Sequence, residues 1–150
     1  MWLILGTALL LLSSAHADDV IDNVDVTVGT DYAEIRVKLA IAANYVRHFP
    51  LDSGQIIEVY IQPISLDGFE LPTRSEIYRS HAPNTVPCFS IGFTPLNRPL
   101  SLREAFPLVI RFGEPVHFKL TGGHDNHGFS LRIPLVAGAT PPASRRRCPD

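Results

Sequence analysis

Apolar residues recur at every second position over much of the chain, which is the signature of β-strands. The clearest run is 35–41, where isoleucine, valine and leucine alternate with arginine, lysine and alanine. One apolar face and one charged face are typical of a strand in a half-buried antiparallel sheet. The same alternation predicts further strands at 24–28, 57–61, 108–112, 116–120 and 129–133. The fold class is therefore predicted to be all-β.

Signals for helix are few. Ser101 and Glu104 have the spacing of a capping box, but Pro107 would stop a helix after one or two turns. We therefore expect at most one short helix near 101–106. The stretch from 63 to 99 contains six prolines and predicts a long irregular connection with at most one short edge strand at 88–93.

Two parts of the chain have a similar pattern of apolar and polar positions. Residues 37–61 and 110–135 each contain strands on both sides of a polar turn, at a spacing of about 73 residues. Two such half-units could bury their apolar faces against each other as an antiparallel β-sandwich. Chance alternation, which any β domain shows, would produce the same pattern.

The two ends of the chain differ in composition from its middle. Residues 1–17 contain an apolar run that ends in Ala15-His16-Ala17, which predicts a signal peptide cleaved after Ala17. No Lys or Arg precedes the run, and an uncleaved anchor or a buried strand is the alternative. Residues 18–135 are expected to form the β-sandwich domain, and 136–150 a tail with proline and arginine. The mature protein is then periplasmic or secreted and not transmembrane.

Charge and cysteine content narrow the classes of partner and compartment. Thirteen Lys and Arg residues stand against fifteen Asp and Glu residues, so the net charge does not indicate binding to nucleic acid. Cys88 and Cys148 are the two cysteines. In an oxidising compartment an even number favours a disulfide between them, whereas two free thiols are the alternative.

The stretch GGHDNHG at 122–128 admits two interpretations. His124, Asp125 and His127 could supply three metal ligands, as a small metal-dependent enzyme would need. However, neighbouring side chains point apart, and a zinc site needs three or four donors that converge on one point. Glycine, Asp and Asn are also the residues that tight turns require. The sequence therefore favours a hairpin turn without a metal, and the metal site remains the alternative.

No other pattern of catalytic residues is present. The serines do not lie in a Gly-x-Ser-x-Gly elbow, no phosphate-binding glycine loop occurs, and the cysteines do not form a Cys-x-x-Cys pair. We therefore expect a protein that is not an enzyme and needs no cofactor.

The segment 44–50 is the richest in side chains suited to binding. On a regular strand Tyr45, Arg47 and Phe49 share one side, and His48 lies on the other. Aromatic rings beside a cation suit a sugar or a protein partner. The alternative is that Tyr45 and Phe49 belong to the core while Arg47 extends to water. A weaker set of the same kind comprises Tyr60, Arg74, Tyr78 and Arg79.

A resemblance to a known family rests on three of these stretches. Residues 34–39, 45–54 and 57–61 resemble AMIN-type domains, and 128–133 is similar in outline to the closing strands of such a domain. AMIN-type domains are small periplasmic β-sandwich modules of cell-wall amidases, secretins and other envelope proteins. The resemblance covers about 20–135, although the proline-rich connection here is longer than the family pattern.

The resemblance implies an exported, noncatalytic binding or adaptor module of the bacterial cell envelope. Its partner would be peptidoglycan, the cell-wall polysaccharide, or an envelope protein. The resemblance assigns no binding residue. A structural subunit that pairs through a sheet edge is an alternative to this function.

Overall fold

The computed structural model describes residues 19–67, 69, 72, 74–80, 86–98, 101–136 and 148. The predicted signal peptide and most of the predicted tail lie outside the described residues. The described part contains strands and no helix. The strands are β1 (Ile21–Val28), β2 (Tyr32–Leu39), β3 (Ala43–Phe49), β4 (Ser53–Pro63), β5 (Glu76–Arg79), β6 (Phe89–Phe93), β7 (Phe106–His117), β8 (Lys119–Gly122) and β9 (Gly128–Pro134).

The strands form two antiparallel sheets. The four-stranded sheet has the order β1-β2-β9-β8, and the five-stranded sheet has the order β3-β4-β7-β6-β5. The apolar faces of the two sheets share one core, as in a β-sandwich. The predicted all-β antiparallel sandwich is confirmed.

The core follows from the alternation along each strand. In β7, the side chains of Phe106, Leu108, Ile110 and Phe112 are buried, while those between them are partly exposed. Phenylalanine rings from neighbouring strands then pack in pairs, with centroids 5.6 Å apart for Phe89 and Phe112. Each buried ring removes a large apolar area from water, which is the main contribution to the stability of a domain of this size.

The two halves of the sandwich have the same topology. In the first half β2 leads into the β3–β4 hairpin of the opposite sheet, and in the second half β7 leads into the β8–β9 hairpin of the opposite sheet. The neighbours correspond as well, because β2-β9-β8 matches β7-β4-β3 and β1 matches β6. This arrangement agrees with the repeated half-unit in the sequence.

The sandwich is closed on the side where β3 and β8 meet. The backbone N–H of Ala43 donates to the carbonyl oxygen of Asn126 at 2.7 Å, and Ala43 forms an isolated parallel bridge with His127. Gly122 lies so close to β3 that an added Cβ would stand 3.1 Å from the Cβ of Tyr45. The edges of β3 and β8 therefore cover each other.

The sequence predicts at most one short helix near 101–106, and the described residues there form none. Ser101 instead forms one isolated turn, in which its carbonyl oxygen accepts the N–H of Glu104 at 3.2 Å. The side chain of Glu104 pairs with Arg98 and does not return to Ser101, so the capping-box prediction was wrong. The period-two pattern that begins at Phe106 determines the local structure, since it allows β7 to start directly after the turn.

The connection from 63 to 99 contains more strand than its prolines indicated. The predicted strand at 88–93 is β6, but it lies between β7 and β5 and is not an edge strand. Its side chains Phe89, Ile91 and Phe93 are all buried, as an interior strand requires. The edge is β5, which the pattern missed because it has only four residues.

The predicted disulfide is confirmed. Cys88, directly before β6, is bonded to Cys148 with the two Cα atoms 4.8 Å apart. The bond therefore links Cys148 to the residue that precedes the interior strand β6.

Candidate functional site

The two outer faces of the sandwich carry different chemistry. On the four-stranded sheet several of the charged side chains pair with one another. The Glu34 carboxylate lies 3.6 Å from the Arg36 guanidinium and 3.5 Å from that of Arg132, and Lys38 lies 3.2 Å from Asp22. Such a face is well solvated and its charges are largely compensated within the molecule.

The outer face of the five-stranded sheet is more apolar. One row of paired residues crosses all five strands, from Phe49 through Glu58, Val109 and Gly92 to Ile77. Phe49 is 70% exposed and Ile77 is 50% exposed. We call this surface the binding face. It further contains Arg47, Tyr60 and Pro107 on one side of the row, and Ile56, Arg111, Arg79 and the buried Ser90 on the other.

A bulge in β3 changes the predicted arrangement of Tyr45, Arg47, His48 and Phe49. Tyr45 pairs with Ile61, but Arg47 pairs with the adjacent Tyr60, so one extra residue is inserted between them. The alternation therefore reverses, and Tyr45 shares a side with His48 instead of Arg47. The prediction that Tyr45, Arg47 and Phe49 lie together was wrong in this respect, since only Arg47 and Phe49 lie on the binding face.

Tyr45 and His48 form a small hydrogen-bonded network at the sandwich edge. The Tyr45 hydroxyl lies 2.6 Å from His48 Nδ1, and His48 Nε2 lies 2.8 Å from the carbonyl oxygen of Leu51. A carbonyl only accepts, so Nε2 carries a hydrogen, and in the neutral imidazole the Tyr45 hydroxyl donates to Nδ1. The His48 ring packs 5.7 Å from that of Phe118, and burial raises the pKa of Tyr45. These two side chains hold the β3–β4 hairpin in place.

Arg47, Tyr60 and Glu58 form a connected group on the binding face. The Arg47 guanidinium carbon lies 4.7 Å from the centroid of the Tyr60 ring, and the Tyr60 hydroxyl donates to the Glu58 carboxylate at 2.8 Å. That hydrogen bond raises the pKa of Tyr60. Because the guanidinium covers one side of the Tyr60 ring, that side cannot stack on a sugar. No guanidinium of a described residue lies over the Phe49 ring, which is mostly exposed.

Large apolar side chains are exposed where β3 turns into β4. Phe49, Leu51 and Ile56 are 70%, 76% and 53% exposed. The turn between them is tightly packed, because an added Cβ on Gly54 would stand 2.6 Å from Cγ of Pro50. We call Phe49, Leu51 and Ile56 the hairpin tip. An exposed apolar cluster on an ordered scaffold is typical of an interaction site.

The segment GGHDNHG is the connection of the β8–β9 hairpin, as the turn interpretation predicted. Asn126 has the positive φ of 55° that such turns require, and the His127 N–H donates to Asp125 Oδ1 at 3.1 Å. This backbone hydrogen bond holds the pKa of Asp125 below its ordinary value. Among the residues that the structure describes, no three His, Cys, Asp or Glu side chains are grouped closely enough to hold a metal ion. This holds for His124, Asp125 and His127 as well.

A groove lies on the open side of the sandwich, between the edges of β1 and β5. Its volume is about 470 Å³, and its charged lining residues are Asp19, Asp22, Arg74 and Glu76. The Glu76 carboxylate accepts the backbone N–H groups of Val20 at 2.8 Å and Ile21 at 3.2 Å, and so ties β5 to the start of β1. Burial raises the pKa of Glu76 more than these hydrogen bonds lower it.

The pKa of Glu76 is expected to respond in opposite directions to two substitutions. Asp19→Asn should lower it, because the charge of Asp19 opposes ionisation, and Arg74→Gln should raise it. Since the folded-state pKa is raised, the contribution of Glu76 to stability is fully present below its ordinary pKa. That contribution is lost as the pH rises through the folded-state value. Carboxyl ¹³C NMR titration measures each pKa, and Asp31→Asn, in the β1–β2 turn, is the control that should leave it unchanged.

Comparison with known proteins identifies no family for this chain. No protein-family model, curated protein or solved structure matches the chain. In the described part of the chain, no helix has the length and apolar character needed to cross a membrane.

Sequence reasoning located Arg47, Phe49, Tyr60 and Arg79 but missed most of the binding face. Ile56 had a usable signal, because the adjacent pair Ile56-Ile57 places an apolar residue on the otherwise polar side of β4. Val109 and Ile77 had none, since they join Phe49 only through the register of five strands.

Proposed function

We propose that the protein is an exported, noncatalytic binding or adaptor module of the bacterial cell envelope, and that it binds an envelope protein. The observation that carries this proposal is the contrast between the two outer faces. One face has compensated charges, whereas the binding face and hairpin tip expose Phe49, Leu51, Ile56 and Ile77 to water. Exposed aromatic and aliphatic anchors next to arginine are characteristic of protein interfaces.

The geometry favours a protein partner over the cell-wall polysaccharide. Sugar binding by aromatic stacking needs open rings, and Arg47 already covers one side of Tyr60. The binding face is also a flat sheet surface rather than a cleft, and the described grooves lie along β1, β2 and the β8–β9 turn. Flat, mixed apolar and cationic surfaces suit another protein better than a single glycan chain.

The compartment is part of the same proposal. The predicted signal peptide and the Cys88–Cys148 disulfide are both compatible with an oxidising environment outside the cytoplasm. The resemblance to AMIN-type domains adds the cell envelope as the place of action. A periplasmic protein partner agrees with all three.

Photo-cross-linking in intact cells tests the proposal. A photoreactive amino acid at Phe49 is expected to give an adduct with a distinct envelope protein, identified by mass spectrometry. The matched control is the same residue at Thr121, which is exposed on β8 of the opposite sheet and should give no such adduct. Co-sedimentation with purified sacculi tests the polysaccharide directly. If the chain is retained on sacculi and Phe49→Ser abolishes retention, the partner is the polysaccharide and not a protein.

Substitutions on the binding face are expected to weaken partner binding without unfolding the protein. Phe49→Ser and Ile56→Ser each remove an exposed anchor, and a central anchor contributes about 2 kcal/mol to an interface, or about thirtyfold in Kd. The free energy of unfolding should change little, since these side chains are mostly in water. Thr121→Ala on the other sheet should alter neither quantity. Unchanged affinity of both binding-face variants, measured by calorimetry with the identified partner, would contradict the assignment.

A further inference from the structure

The open side of the sandwich presents two strand edges. β1 is the edge of the four-stranded sheet and β5 is the edge of the five-stranded sheet. The groove between them is lined by consecutive residues, 21–24 of β1 and 74–78, of which 76–78 belong to β5. Because consecutive side chains point to opposite faces of a sheet, the groove runs along the strand edges and not over one face. This surface shares only Ile77 with the binding face proposed above.

The hydrogen bonds of the β1–β2 hairpin show which backbone groups of β1 face the open edge. The Gly29 N–H donates to the carbonyl oxygen of Tyr32 at 2.9 Å, so these two residues form a hydrogen-bonded pair. Backbone direction alternates along an antiparallel strand. The N–H and C=O groups of Val24, Val26 and Val28 therefore point away from β2, toward the open edge. Three residues of β1 are thus available to pair with a further strand.

The pseudo-symmetry of the fold leaves a place for that strand. β1 corresponds to β6, and β6 has β5 as its outer neighbour. In the described part of the chain no strand occupies the equivalent place beside β1. A strand added there would lie over β5 and cover its inner side, where Tyr78 is only partly buried. A strand added beyond β5 would face no opposing strand, so the β1 edge offers more apolar contact.

The charges along the edge favour a basic occupant. Asp19, Asp22 and Glu76 line the groove against one guanidinium, that of Arg74, and Asp22 is also paired with Lys38. Asp25 continues the acidic series on the outer side of β1. If two copies of this chain paired through β1, these aspartates would approach one another, which is unfavourable for like charges across strands. A peptide with lysine or arginine at alternate positions avoids that repulsion.

We propose that an extended peptide with alternating apolar and basic side chains binds beside β1 as a fifth strand of the four-stranded sheet. Its backbone pairs with Val24, Val26 and Val28, as in other cases of β-strand addition. Its apolar side chains point inward and pack against Tyr78. Its basic side chains lie on the outer face, beside Asp25.

A synthetic probe tests the mode of binding. The probe is an acetylated and amidated octapeptide of alternating valine and lysine, titrated into the purified protein by calorimetry and by ¹H–¹⁵N NMR. Saturable binding is expected, with the largest shifts at the amides of Val24, Val26 and Val28. The largest shifts at Ile77 and Arg79 would place the peptide on β5 and overturn the proposal. A peptide with glutamate in place of lysine should not bind, and equal binding by it would contradict the charge argument.

Backbone methylation separates strand pairing from charge attraction. In antiparallel pairing the inward valines of the peptide bond directly to β1, whereas the N–H groups of the lysines point away. N-methylation of the valines should therefore abolish binding, and N-methylation of the lysines should leave it intact. Equal effects of the two modifications would exclude strand addition.

Two protein variants complete the test. Val26→Pro removes one N–H that faces the open edge and leaves the β1–β2 hydrogen bonds in place, so affinity should fall by about tenfold or more. Val26→Thr keeps the N–H and should bind as the unmodified protein does. Should Val26→Pro fail to fold, Asp25→Lys still decides, because it should shift the preference toward the glutamate peptide. An unchanged preference in Asp25→Lys would refute the proposed site.

Discussion

Replacing Gly128 with alanine is expected to destabilise the fold by about 3 kcal/mol or more. Gly128 is the first residue of β9 and has a φ of +154°, a conformation that L side chains rarely adopt. A Cβ at this position would also overlap the carbonyl oxygen of Val37 on the neighbouring strand β2. This carbonyl oxygen belongs to the backbone of β2, an interior strand of its sheet, so it cannot move aside as a flexible side chain would. Urea unfolding followed by circular dichroism measures the loss.

Gly92→Ala is the matched control for this prediction. Gly92 is also a strand glycine, on β6, but an added Cβ there would meet its nearest atom, the Glu76 carbonyl oxygen, at an ordinary distance of 3.7 Å. Its free energy of unfolding should stay within about 1 kcal/mol of the original, because the added methyl group causes no overlap. If Gly128→Ala and Gly92→Ala unfold at the same urea concentration, the close approach of β9 to β2 is not the determining contact.

The strands that the sequence predicted correctly are those with an unbroken alternation. Residues 35–41 and 108–112 have this pattern because the side chains on one face are buried in the core, whereas those on the other face are exposed or partly exposed. A buried strand face requires an apolar residue at every second position, and this alternation is visible in the sequence. The strand β5 has only four residues, which are too few for the alternation to be recognised before its partner β6 is known.

The candidate site was only partly predictable, for a different reason. Arg47 and Phe49 were identified from their side chains alone. Their separation from Tyr45 depends on one extra residue in β3, and a bulge of this kind follows from pairing with β4, not from the local sequence. Likewise, Ile77 and Phe49 are 28 positions apart in the sequence and meet in one row only because five strands share a register. Local patterns do not contain that information.

The half-unit arrangement explains why the two sides of the sandwich differ in accessibility. On one side the equivalent strands β3 and β8 cover each other's edges through Ala43 and the β8–β9 turn. On the other side β5 extends one sheet but nothing described extends the other, so the edge of β1 stays open. Exposed edges are a hazard for self-association, and the aspartates of β1 are the kind of side chain that limits it.

Removal of the disulfide is expected to destabilise the protein by about 4 kcal/mol. The bond joins residues separated by 60 positions, so its loss frees a long loop in the unfolded chain. It is also anchored in a well-packed region, because Cys88 precedes the buried Phe89 and its carbonyl oxygen accepts the N–H of Gly113. The double variant Cys88→Ser with Cys148→Ser, compared with the oxidised protein in urea, measures the difference.

The slope of the unfolding transition distinguishes the two ways in which the bond could act. If the disulfide stabilises mainly by restricting the unfolded chain, its removal lets that chain expand, and the m value should rise while the midpoint falls. If it acts mainly through contacts of the folded state near Cys88, the midpoint should fall with an unchanged m value. Reduced unmodified protein controls for the serine substitutions and should behave as the double variant does. An unaltered midpoint in both the double variant and the reduced protein would show that the Cys88–Cys148 bond contributes nothing measurable to stability.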